Sequence, residues 1–316
     1  MSNKHNQAWR AFQTFAAAML LWLMVRAAGI DGLKQALLQL TWGTALYLLL
    51  LSAVMLYVGS LKWKLFINHV SRGISTLQVM RIYLIGYFVN LVLPSYVGGD
   101  VVRSFYAGRK IGHHEAIATV LLERLSMIVV VLLILPAALY RVGISALSLN
   151  YSLAALIVVS IGAAAFSLVR CVLKRTFSWG MSRAGAHVEK VRQALHVTYK
   201  APRLFVKAML LSFLYHALSA LNVAASGYAV GWEAPPLLEI FILLPFVFIL
   251  TSLPVTPSSL GVQEGAFFLM LNFLGASEAQ ALAAAMVLRA KSIVLAMLGG
   301  ICWLCQRDRG DRIKFL

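Results

Sequence analysis

Apolar runs long enough to cross a hydrocarbon core of about 30 Å recur along the whole chain. Six read as full spans: residues 11–30, 36–59, 116–140, 149–172, 207–230 and 280–304. Two further apolar segments, 76–93 and 238–253, end differently. The first runs into VLPSYVGGDVVR and the second into LPVTPSSLGVQEG, where proline, glycine and an acid break the helical pattern.

Basic residues orient these segments, because cytoplasmic loops collect Lys and Arg. Lys4 and Arg10 place the N-terminus in the cytoplasm, and Arg307, Arg309, Arg312 and Lys314 do the same for the C-terminus. Between 174 and 207 lie Lys174, Arg175, Arg183, Lys190, Arg192, Lys200, Arg203 and Lys207 against a single Glu189. Apolar positions such as Phe177, Trp179 and Leu195 suit this segment to a helix on the anionic cytoplasmic leaflet. GWEAPPLLE (231–239) has two acids and no base and reads as external.

Segment 76–93 has Lys62, Lys64 and Arg72 before it and Arg103, Arg109 and Lys110 after it. Both flanks read as cytoplasmic, so a single crossing has the wrong parity and a re-entrant hairpin turning near 94–100 fits. The stretch 238–275 has external flanks and reads as a second hairpin, entering from the other side. Arg141, alone on an outer loop, is the one charge out of place.

The two regions share an internal pattern. FVNLVLP (88–94) resembles FILTSLP (248–254), and glycine then acid follow each, as Gly98, Gly99 and Asp100 and as Gly261 and Glu264. VLLERLSMIVV (120–130) aligns with MVLRAKSIVLA (286–296), setting Glu123 against Arg289. The expected fold is an all-α polytopic membrane protein of one domain over 1–316. It has about six transmembrane helices and two re-entrant hairpins in an inverted repeat, with units at about 76–140 and 238–304.

Composition agrees: 61% of the 316 residues are hydrophobic, 12% are charged, and mean hydropathy is +0.82. A net charge of +17 would suggest nucleic acid in a soluble protein, but here the bases lie in connecting segments, so no nucleic-acid partner is expected. No polar stretch is long enough for a separate soluble domain. The N-terminal run has the charge of a signal peptide but no small-residue cleavage site before Arg26, and reads as a retained helix. Cys302 and Cys305 form a lone CxxC, Cys171 reads as a small apolar residue, and His113 and His114 beside Glu115 read as a helix start. Neither metal nor cofactor is expected.

Irregular backbone at membrane depth must be satisfied by protein or by water, so two proline–glycine tips imply a polar cavity. The candidate site therefore takes Pro94, Gly98, Gly99, Asp100, Arg103, Glu123, Arg124, Pro254, Pro257, Gly261, Glu264 and Arg289. Helix starts after each tip, with Arg103 and Arg124, suit a phosphate. Asp100 and Glu264 could bind cationic groups, a proton or the arginines, or cap the helices they begin. Intramembrane charges need partners, and equivalence in the repeat predicts a Glu123–Arg289 pair across the pseudo-two-fold. Lys291 is read as reaching towards an interface.

NLVLPSYVGGDVVRSFYAGRK, LLERLSMIVV, LPVTPSSLGVQEGAF and a final helix ending in LGG resemble the transmembrane, flippase-like region of lysylphosphatidylglycerol synthases, shared by stand-alone YbhN-like membrane proteins. The resemblance covers residues 10–305. Pro94, Gly98, Gly99, Asp100, Arg103, Glu123, Arg124, Pro254, Gly261, Glu264 and Gly265 match its motifs, while Ser258 and Ser259 stand where glycines are frequent. The synthases' soluble aminoacyltransferase domain is missing, so synthase activity is not implied.

The resemblance implies a non-enzymatic lipid translocator in the bacterial inner membrane. Its partners would be membrane lipids, either an anionic phospholipid or a polyprenyl-linked lipid, with a homo-oligomer as a further expectation. An intramembrane transferase acting on a lipid phosphate and a scaffold for a lipid- or glycan-modifying complex are the rival readings.

Overall fold

A computed structural model describes residues 18–71, 73–92, 98–144, 201–252 and 256–307. The expected span 149–172, the basic segment as far as residue 200, Pro94, Pro254, Cys171 and the start of span 11–30 lie outside the described residues.

Every regular element described is helical. A short apolar helix α1 (Ala18–Ala28) breaks at Gly29, whose φ of 71° favours glycine, and continues as α2 (Ile30–Leu38). Among the described residues four helices are long and apolar enough to cross a membrane: α3 (Trp42–Val70), α6 (His113–Ile144), α7 (Pro202–Ala229) and α10 (Glu278–Arg307). They match the expected spans 36–59, 116–140, 207–230 and 280–304. Thr41 caps α3, accepting from the Thr44 amide at 3.2 Å while its own amide donates to Thr44 Oγ1 at 3.1 Å.

Helix α3 runs well beyond the predicted residue 59, and this corrects one reading. Lys62 is not part of a cytoplasmic flank; it lies inside the helix and is 4% exposed. The apolar run resumes after it as Trp63, Leu65, Phe66 and Ile67, so one lysine did not end the helix.

Between the long helices lie two pairs of short ones, α4 (Thr76–Val92) with α5 (Gly98–Ile111), and α8 (Leu237–Ser252) with α9 (Val262–Phe273). Their lengths of 17, 14, 16 and 12 residues fall short of the roughly 20 that a crossing needs. The contacts of α4 and α5 run in opposite senses. Gly99 N donates to Asn90 Oδ1 at 2.6 Å, Arg103 lies over the Tyr83 ring at 4.2 Å, and Lys110 Nζ donates to Gln78 Oε1 at 3.1 Å. This sets α4 and α5 side by side and antiparallel, as a helical hairpin. Gly99 makes it close, since a Cβ there would meet the Gly86 carbonyl oxygen at 2.5 Å.

Helices α8 and α9 fold back on each other around Leu243, Leu244, Val247, Phe267 and Leu271. Their turn contains a 3₁₀ segment, Pro257–Ser259, in which Ser258 and Ser259 hold φ of 51° and 53° without being glycine. Ser259 Oγ donating to the Thr251 carbonyl at 2.8 Å helps to hold that turn.

The hairpins enter from opposite ends of the bundle. At one end Lys64 Nζ donates to Thr76 Oγ1 at 2.6 Å, so the end of α3, the start of α4 and the end of α5 lie together. At the other, Gln280 Nε2 donates to the Gly231 carbonyl at 2.8 Å and Arg141 pairs with Glu239 at 3.1 Å. That second pair accounts for Arg141, the charge the topology left out of place.

Each hairpin has its own apolar core, one built with α3 and the start of α6, the other with α7 and the first half of α10. The buried run Ala281, Ala283, Ala284 and Ala285 lets α10 approach its neighbours closely. Further along, Gly299 leaves room for the Leu84 carbonyl and Gly300 for the Phe88 ring.

Candidate functional site

The turn of the second hairpin touches the end of α4. Ser258 Oγ donates to the Asn90 carbonyl at 2.8 Å and to that of Leu91 at 3.1 Å, so the second turn satisfies carbonyls left open where α4 ends. Around this contact lie the interior charges, in two groups.

The first group belongs to the α4–α5 hairpin. Asp100, in the first turn of α5, pairs with Arg103 one turn on and with Arg124 of α6, whose Nη2 lies 2.6 Å from Oδ2. Arg103 Nη1 reaches Glu123 Oε2 at 3.0 Å, and its guanidinium lies 5.1 Å from the Trp63 ring and 4.2 Å from that of Tyr83. Glu123 also accepts from the Tyr83 hydroxyl and has Lys62 Nζ at 3.5 Å. Arg103 and Glu123 are 5% exposed, whereas the Arg124 side chain is 40% exposed. Among the described residues three cations, Lys62, Arg103 and Arg124, thus face two carboxylates, an excess of one positive charge. Glu123 and Arg124, adjacent in sequence, point to different partners, as their angular separation on a helix requires.

The second group belongs to the α8–α9 hairpin. Glu264, in the first turn of α9, accepts from the Gly261 amide at 2.7 Å and pairs with Arg289 Nε of α10. It therefore caps its helix and binds an arginine at once. The other guanidinium nitrogens of Arg289 donate to the Ser258 and Ser259 carbonyls at 3.3 Å, which ties α10 to the strained turn.

The expected Glu123–Arg289 pair does not form: Glu123 is taken by Arg103, Lys62 and Tyr83, and Arg289 by Glu264. The corresponding contacts are instead Asp100–Arg124 and Glu264–Arg289, each joining a first-turn carboxylate to the next long helix. The offset is one residue, because Arg124 rather than Glu123 stands where Arg289 stands. Of the other candidates, Gly98 and Gly99 are buried at the start of α5, Gly261 precedes α9 with φ of 79°, and Pro257 begins the 3₁₀ segment. Pro94 and Pro254 lie outside the described residues.

Three members of the first group were not foreseen. Lys62 had a signal, a lysine with apolar sequence on both sides. Tyr83 and Trp63 had none, since aromatic residues in a membrane helix usually face lipid or core. Several lone polar residues are satisfied between elements, among them Asn90 by the Gly99 amide and His216 Nε2 by the Phe241 carbonyl at 2.9 Å.

A bundle of apolar helices, four of them long enough to span a bilayer among the described residues, with buried ion pairs between its elements, defines a multi-pass membrane protein. The profile of the lysylphosphatidylglycerol synthase TM region matches residues 11–300, and the chain belongs to that family. It is also similar to a UPF0104 membrane protein of Methanothermobacter thermautotrophicus, 24% identical over 94% of this chain and 93% of that protein.

Proposed function

We propose that this chain carries a lipid across the membrane, with an anionic headgroup passing between the hairpin tips while the acyl chains stay in the bilayer. In this reading α4–α5 and α8–α9 are re-entrant, and 76–140 and 238–304 are inverted halves of one plan. The protein sits in the inner (plasma) membrane with both termini cytoplasmic, and it catalyses no covalent step.

The observation that carries the proposal is the meeting of two helical hairpins from opposite ends at Ser258 and Asn90, among five charged side chains of the first group. Such charges are expensive in a membrane interior and mark pathways for polar cargo. The excess of positive charge among the described residues and the 40% exposure of Arg124 favour an anion.

The test is translocation of headgroup-labelled lipid in proteoliposomes, wild type against Asp100→Ala. The variant frees Arg103 and Arg124 from their shared partner and is expected to slow transport at least about tenfold, ~1.4 kcal/mol on the barrier. Unchanged transport would remove the tips from the pathway. A headgroup altered covalently by the purified protein would support the transferase reading instead.

A further inference from the structure

We propose that Lys291, Asn222 and Ser52 form a second headgroup station, which holds the phosphodiester of an anionic membrane lipid on the open flank of α10. The inference rests on the translocator reading and adds to it a place where the lipid is held before it reaches the tips.

Lys291 lies near the middle of α10, two residues from Arg289. The other cations at this depth, Lys62, Arg103, Arg124 and Arg289, each have a carboxylate. Lys291 has none among the described residues; its ammonium donates to the Asn222 side-chain oxygen on α7. An ammonium has three donors, so two are left for a ligand.

The amide behind it is fixed. Asn222 Nδ2 donates to Ser52 Oγ at 3.2 Å, and Ser52 donates to the Leu48 carbonyl at 2.7 Å. With its hydroxyl proton committed, Ser52 accepts from the Asn222 NH₂ group, and the amide oxygen is left facing α10. Asn222 is 1% exposed and Ser52 4%, so this relay is built into the α3–α7 packing.

The lysine stands at the edge of an opening. One turn towards the start of α10, Val287 and Leu288 are 8% and 4% exposed. Towards the other end on the same face, Val294 and Leu298 are 40% and 47% exposed. Helix α10 packs on α7 but barely on α3. An apolar flank that ends at a cation fits an amphiphile with acyl chains on Val294 and Leu298 and a phosphodiester on Lys291. Charge complementarity favours a headgroup whose only charge is its phosphodiester over one that also carries an ammonium, which would approach the lysine.

The experiment scores lipid retained by the purified protein, using native mass spectrometry after incubation with equal phosphatidylglycerol and phosphatidylcholine. The wild type is expected to retain phosphatidylglycerol preferentially. Lys291→Gln, which keeps a polar side chain and removes the charge, should lower that preference about tenfold, and Lys291→Arg should keep it. Ser52→Ala, which frees the amide to turn, should lower it less, and thermal unfolding checks that all three variants fold. Wild-type preference in Lys291→Gln would overturn the station and leave the flank to another stretch of the chain. Displacement of the lipid by excess inorganic phosphate would reassign the lysine to a free anion and overturn it as well. Retention is read without transport, so absence of translocation in every protein would defeat the translocator reading while leaving this result to stand.

Discussion

Arg103 and Lys62 both neutralise Glu123, yet their removal should differ sharply. Arg103 also holds Asp100 and lies against two rings, so Arg103→Met takes the shared partner from both carboxylates and leaves Glu123 to Lys62 at 3.5 Å and Asp100 to the half-exposed Arg124, and breaking a buried pair costs about 3–5 kcal/mol. Lys62→Met leaves Glu123 with Arg103 and Tyr83 and should cost less than about 1 kcal/mol, because an apolar chain replaces a buried charge at similar volume. Thermal unfolding in detergent separates the two; equal losses would mean that the group does not divide its work this way. At Glu264 and Arg289 the charge-reversed double variant should recover only part of what Glu264→Met loses, since methionine removes both the ion pair and the cap. A carboxylate moved to position 289 can remake the ion pair but not the cap on the Gly261 amide. Full recovery would show that the cap contributes little.

Among the elements, the hairpin turns are where the sequence was most informative and also where it misled. The parity of Lys and Arg, with proline–glycine punctuation, predicted a break in each of the two regions where the described residues form a pair of short helices, and four long helices lie where apolar runs placed them. The ends of helices were less legible: Lys62 was assigned to a loop because charge density, not its apolar flanks, was taken as decisive. The partner of Arg289 was mistaken for a related reason. Aligning two apolar helices by similarity leaves a one-residue uncertainty, and on a helix one residue is about 100° of direction. Tip contact is testable in a cysteine-free background. Cysteines at Ser258 and Leu91 should crosslink, stop transport, and release it on reduction. A crosslink that forms while transport continues would exclude tip separation from the cycle. Gly299→Ala should be more damaging than its size suggests, because the new methyl collides with the Leu84 carbonyl, backbone that cannot swing aside. Its check is the yield of folded protein against the same change at Gly265, where the nearest atom is the flexible Met24 sulfur at 3.8 Å.

For the whole molecule, the proposed orientation rests on charge asymmetry and on the opposite placement of the open ends of the two hairpins. Lys64, Arg109 and Lys110 lie at the end where α4 enters, and Glu233, Glu239 and Glu278 gather where α8 enters. Single cysteines at Gln78 and Ser277 should therefore react with an impermeant reagent from opposite sides of the membrane, Ser277 from outside. Labelling of both from one side would undo the hairpin topology.

The two tip arginines differ in one respect: Arg124 is 40% exposed and Arg289 14%. If the halves are alike in plan, this difference describes a moment rather than a fixed property. In the proposed translocator one gate would then stand ajar while its counterpart is shut, and the companion state would exchange the two. Alternating access then needs no large rearrangement of the long helices, only a change in which arginine meets water. A compound that traps Arg124 in contact with solvent would hold the carrier facing one way.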